Sequence, residues 1–159
     1  MSKKLILFFL LAAFGFAGKA LAQAQPLYGP PIGLAAAKRA AAAALAAARA
    51  HKFVPYDIAI VDSGGNLVYF ERMDGAQLGS IRIAIDKARS AALFRRPTKV
   101  WEDFVAKGRT AVLSLPGTIA SEGGVPLLSK GKVIGAIGAS AGTPEQDGIV
   151  AKAGAATVK

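Results

Sequence analysis

The stretch GGVPLLSKGKVIGAIGAS, Gly123–Ser140, holds two apolar runs, Val125–Ser129 and Lys132–Ser140, parted by Lys130-Gly131. A two-residue break containing glycine between strand-like runs is hairpin chemistry, so the runs predict antiparallel neighbours. Upstream the pattern recurs. Tyr56–Val61 and Leu67–Glu71 flank Asp62-Ser63-Gly64-Gly65-Asn66, a cluster of turn-forming residues. Strands that arrive as hairpins, rather than singly between helices, predict an antiparallel sheet and an α+β class.

Helices surround these hairpins. In Leu34–Ala50, 12 of 17 residues are alanine, the residue with the best helix propensity. Such a methyl-sized surface lets a sheet or a second helix approach closely. Asp74 and Gln77 predict a capping-box start for a long helix. Its expected buried stripe is Leu78, Ile81, Ile85, Ala88 and Ala92, with Arg82, Asp86 and Arg89 outside it at pairing distance. A separate arc of Ile83, Lys87, Ser90 and Phe94 predicts a subunit contact or a cavity wall. Thr98 is the expected N-cap of the next helix, which Gly108 ends. A short strand is expected before the second hairpin. Thr143, Pro144 and Gln146 then open a last helix with a capping box and proline at its first position.

Residues 1–22 have the layout of a signal peptide. A basic MSKK start precedes an apolar run, Leu5–Gly18, and Ala20-Leu21-Ala22 is a small-x-small cleavage site. The run of 14 residues is short of the roughly 20 that a spanning helix needs. The expectation is an exported protein, periplasmic or secreted, cut near Ala22. A Pro- and Gly-rich lead-in, residues 23–32, is expected to be extended and mobile, and residues 33–159 to form one domain. The net charge of +10 belongs to 20 basic and 10 acidic side chains. It occurs without a long basic run or interleaved aromatics, which argues against nucleic acid and for acidic small ligands. The absence of cysteine excludes disulfides and thiolate ligation of a metal or haem.

Conventional catalysts are scarce. The lone histidine, His51, ends the alanine helix beside Lys52, where it suits the negative end of the helix dipole. Asp62, Asp74 and Asp147 all have turn or capping duties available. Gly135, Gly138 and Gly142 sit in or beside strands, where glycine marks either close packing or the approach of a ligand. Lys87, inside its own apolar arc, is a weak catalytic candidate, as nucleophile or charge partner.

Five motifs in order carry a family resemblance: FERMDGA (Phe70–Ala76), DKARSAALFRRPT (Asp86–Thr98), PGT (Pro116–Thr118), the Gly123–Ser140 hairpin and TPEQD (Thr143–Asp147). Together they resemble the GlcG/HbpS family of haem-binding or haem-degrading domains, from about Gly33 to Lys159. The resemblance implies a five-stranded antiparallel sheet flanked by about four helices, in members that form multimers. It implies that Thr118, preceded by Pro116 and Gly117, stands where a threonine is associated with haem iron. Arg72 and Met73 become candidate pocket residues, and Arg72, Lys87, Arg95 and Arg96 candidate partners of haem propionates. A Glu-x-x-Glu iron site is missing, because the matching stretch holds Arg82 and Ile85. The commoner Gln-Asp-Glu pattern stands here as Gln146-Asp147-Gly148. The expected function is an exported, oligomeric protein that binds haem or a related tetrapyrrole for handling or sensing, with a membrane sensor partner if it signals. The alternatives are a small-molecule or oxidative haem-degrading enzyme using Lys87 or Arg72, and a non-catalytic assembly module.

Overall fold

A computed structural model describes residues 24–159, so the expected signal peptide lies outside the described residues. Helix α1 spans Leu34–Ala50. Strands β1 (Asp57–Asp62) and β2 (Leu67–Arg72) form the first hairpin, and α2 (Gly79–Phe94) and α3 (Lys99–Ala106) follow. A short 3-10 turn at Thr110–Ser114 leads to the second hairpin, β3 (Gly124–Ser129) and β4 (Lys132–Ser140), and then to α4 (Pro144–Ala155). The strands form one antiparallel sheet in the order β2-β1-β4-β3. Among the described residues, no helix is long and apolar enough to cross a membrane.

The sheet has four strands where five were expected. The extra strand was placed ahead of the second hairpin, and that segment is the 3-10 turn, with Leu113 and Leu115 exposed. The outer edge of β3 explains why nothing pairs there. Thr98 takes both backbone groups of Gly124: its amide donates to the Gly124 carbonyl at 3.0 Å, and its hydroxyl accepts from the Gly124 amide at 2.9 Å. Two residues on, Pro126 has no N–H to donate. Thr98 thus seals a strand edge, and it makes no side-chain cap on α3.

Both hairpins form as the turn chemistry dictates. Lys130 and Gly131 take φ values of 48° and 72°, the left-handed pair that matches strand twist in a two-residue turn. In the first hairpin, Asp62 Oδ1 accepts from the amides of Gly64 (2.8 Å) and Asn66 (2.9 Å). The lead-in is extended and lies along β4. Val133 N–H donates to Leu27 O, Gly29 N–H to Val133 O and Ile32 N–H to Ile134 O.

Helices α1 and α4 cover one sheet face, burying Ile58, Ile60, Leu127, Ile137 and Val150 with the alanines of α1. The other face, with Ala59, Val61 and Ala136, meets α2 through Ala84, Ala88, Ala91 and Ala92. This corrects the expected α2 stripe: Leu78 is exposed and Ile81 and Ile85 are half-buried, whereas Ser80, Ala84 and Lys87 are buried. The cause lies in the sheet. A Cβ at Gly138 would run into the carbonyl of Ala84, and one at Gly124 into the carbonyl of Lys87. The α2 backbone therefore rests on strand backbone, and only small side chains fit the seam. The expected Asp74–Gln77 capping box is also absent. The helix begins at Gly79 without a side-chain cap, and Gln77 donates instead to the hydroxyl of Ser80 at 2.6 Å. At Thr143 the capping box is present, with Pro144 at the helix start.

Candidate functional site

The Pro-Gly-Thr motif builds a tight bend after the 3-10 turn. Thr118 N–H donates to Leu115 O at 3.3 Å across Pro116 and Gly117, and Gly117 has φ 83°. Proline followed by a positive-φ glycine is the type II turn pattern, so a side chain at position 117 would strain it. The Thr118 hydroxyl lies 2.9 Å from Leu115 O and 3.0 Å from Val112 O, to which its proton is donated. Ile119 N–H donates to Ser90 Oγ at 3.3 Å, which ties the bend to α2.

Between this bend and α2 lies a crevice of about 440 Å³, lined by Gly117, Thr118 and Ile119 on one side and Arg82, Asp86, Arg89 and Leu93 on the other. Arg82 pairs with Asp86 at 2.8 Å on the surface, and Arg89 Nε donates to Gly65 O at 3.1 Å. Two guanidinium groups against one carboxylate leave the wall with positive charge. Leu93 and Ile119 are its apolar components. Arg82, Asp86 and Arg89 had been assigned to pairing on the helix surface. Their shared arc on α2 was visible in the spacing, but the bend that faces it was not.

The other candidates lie elsewhere. Lys87 is buried, with Nζ 2.6 Å from Asp147 Oδ2, while Asp147 Oδ1 accepts from the amides of Ala141 (3.2 Å) and Gly142 (3.0 Å). Tyr56 packs beside this pair, and burial, with help from the Asp147 carboxylate, raises its phenol well above the ordinary tyrosine value. Lys87 is thus a pin between α2 and α4 whose amine is already taken. Met73 packs on the core, where its sulfur accepts from the Tyr56 amide at 3.3 Å. Arg72 is exposed at the end of β2, opposite Asp57.

Arg95 and Arg96 line a separate hollow of about 280 Å³ with Pro26 and Pro97. The Arg95 guanidinium lies 5.1 Å from the centre of the Tyr28 ring, and that of Arg96 lies 5.0 Å from the Trp101 ring. His51 caps the exposed end of α1 and stacks on Phe53. Where the Gln-Asp-Glu pattern would place a glutamate, Gly148 leaves room for the Glu122 carboxylate, which pairs with Lys152 at 2.7 Å. Among the described residues, no group of three or more His, Cys, Asp or Glu side chains could hold a metal ion.

Fold and site define a class: an α+β domain whose antiparallel sheet carries one helix on one face and two on the other, with an open crevice beside the central helix. The family model described as "Haem degrading protein HbpS-like" matches residues 32–156, and the chain belongs to the GlcG/HbpS family. It is 46% identical over 83 residues to Protein GlcG of Escherichia coli K12, an overlap covering 52% of this chain and 62% of GlcG, less than two thirds of that relative. A doubly substituted HbpS of Streptomyces reticuli superposes with a TM-score of 0.74 at 32% identity, covering 82% of this chain and 89% of that one. A crystal structure of a PduOC:heme complex superposes at 0.71 with 28% identity, covering 81% and 96%.

Proposed function

We propose that this protein binds haem or a related tetrapyrrole in the crevice between α2 and the Pro116–Ile119 bend, and that it handles or senses the ligand without electron transfer. One observation carries the reading. Thr118 lines the crevice while its proton is donated to backbone carbonyls, so its oxygen has only lone pairs to offer. Haem supplies an iron that accepts such a pair, a broad apolar ring and two propionates. Leu93 and Ile119 suit the ring, and Arg82 and Arg89 suit the carboxylates. A neutral hydroxyl is a weak ligand beside histidine or thiolate, which fits a ligand passed on rather than retained. The haem complex of the PduOC relative supports the reading.

Titrating haemin into the purified protein should give a saturable, shifted Soret band. Thr118→Ala should weaken binding by about tenfold, one ligand bond's worth on the affinity scale. Arg82→Ala with Arg89→Ala should weaken it less and lower its salt sensitivity, because the screened charge contacts are gone. A band indistinguishable from haemin in buffer, or a Thr118→Ala titration that overlays the parent, refutes the proposal.

Export and assembly belong to the same proposal. The N-terminal 22 residues supply the export reading, along with the membrane sensor partner that signalling would require. Assembly is supported by exposed apolar side chains near the crevice: Ile83 and Leu93 on α2, and Leu113 and Leu115 just ahead of the bend. A second copy there would cover the face of the ring that the crevice leaves open.

A further inference from the structure

A roomier hollow, of about 470 Å³, lies between the lead-in and the β3–β4 turn and shares no lining residue with the Thr118 crevice. Its walls are Pro30, Pro31, Ala36 and Ile134, and its polar groups include Lys130 and Lys132. The volume falls in the range of small-molecule sites, roughly 300–1,000 Å³.

Three features make it a prepared site. The lead-in wall is held in place. Gly29 N–H reaches Val133 O at 2.8 Å, Ile32 N–H reaches Ile134 O at 2.7 Å, and the Tyr28 hydroxyl donates to Leu93 O at 2.8 Å. Two consecutive prolines fix the backbone between these anchors, so little ordering is left for a ligand to impose. The two charged side chains of the lining, Lys130 and Lys132, are both cationic. Neither Lys130 nor Lys132 has a carboxylate within ion-pair distance among the described residues, although five other ion pairs form. The Ser129 hydroxyl, also in the lining, donates to the main-chain oxygen of Lys159 at 2.7 Å. Lys130 is also held at φ 48°, so its stem leaves the turn in a set direction despite the cost of that conformation.

We propose that this hollow is a second binding site, selective for a small amphipathic carboxylate: a compact apolar or aromatic body with one acid group. The apolar body displaces water from Pro30, Pro31, Ala36 and Ile134, while the carboxylate meets the two lysines. A neutral analogue gains only the first contact, and an amine is repelled.

The test is a benzoate titration of the isotopically labelled protein, followed by amide NMR shifts. Saturable shifts should centre on Ile32, Gly33, Ala36 and Ile134. Lys130→Asn with Lys132→Gln should weaken them by about fivefold, the scale of exposed ion pairs, and benzyl alcohol should bind as weakly as that variant. Asn tolerates the left-handed turn position. Lys132→Gln alone, in a strand position, should weaken binding by about half that factor. Thr118→Ala should leave the benzoate shifts unchanged, which separates this site from the haem crevice. Shifts that never saturate, equal binding of benzyl alcohol, or variants that bind like the parent overturn the proposal.

Discussion

Asp57 is completely buried on the α2 side of the sheet, and neither carboxylate oxygen has a hydrogen-bond partner among the described residues. Burial pushes its carboxyl up from the ordinary aspartate value, and the charge of Arg72 partly opposes that. A raised carboxyl favours the protonated form in the folded state. Below the ordinary value both states are protonated and ionisation adds no cost. As pH rises past it, the unfolded chain releases its proton first and stability falls. Asp57→Asn cannot ionise but keeps a polar group in the same unpartnered place, so it should be more stable than the parent at pH 7. The gain should vanish near pH 3 when both chains are unfolded in urea. An equal gain at both pH values would show that ionisation plays no part. At this scale a long-range partner is invisible in the sequence, although a local pattern can also mislead, as Asp74–Gln77 does. The Thr143–Gln146 capping box lies within four residues and was readable. The Lys87–Asp147 pair spans 60 residues, so Asp147 was read only for a local duty.

Among elements, α2 does most to shape the molecule: one side meets the sheet and the other walls the crevice. Ranking faces by hydrophobicity favours Leu78, Ile81 and Ile85, but the sheet beneath presents Gly124 and Gly138, and the backbones come together. The strand glycines mark either close packing, for which the alanine helix was the expected partner, or the approach of a ligand; the element that packs on Gly124 and Gly138 is α2. The alanine helix has its own seam, with α4, where a Cβ at Gly154 would lie 2.6 Å from Ala40 O. Gly138→Ala should then lift α2 from β4 and cost about 3 kcal/mol or more, at the upper end for single substitutions. Urea unfolding measures that cost. A loss under about 1 kcal/mol, the ordinary surface range, would mean that the seam can open without penalty.

At the level of the whole molecule, class and topology were legible because hairpin turns are local and leave antiparallel pairing as the simple result. The fifth strand was misplaced because an apolar segment reads alike whether it pairs or lies on the surface. The exposed Leu113 and Leu115 of that segment gain a purpose if copies associate. Light scattering should report a multimer in dilute solution, and Leu113→Asp should shift it toward the mass of a single chain. A monomer at every concentration would leave the outer face of the crevice open and remove assembly from the proposed function.

The sealing of β3 by Thr98 and Pro126 leaves the sheet lopsided. On that flank an invading backbone finds both groups of Gly124 engaged and no donor at Pro126; along Leu67–Arg72, β2 pairs on its inner side alone. Should damaged copies ever zip together into fibres through main-chain ladders, growth would have to begin along β2, and a proline planted there would be the most economical brake.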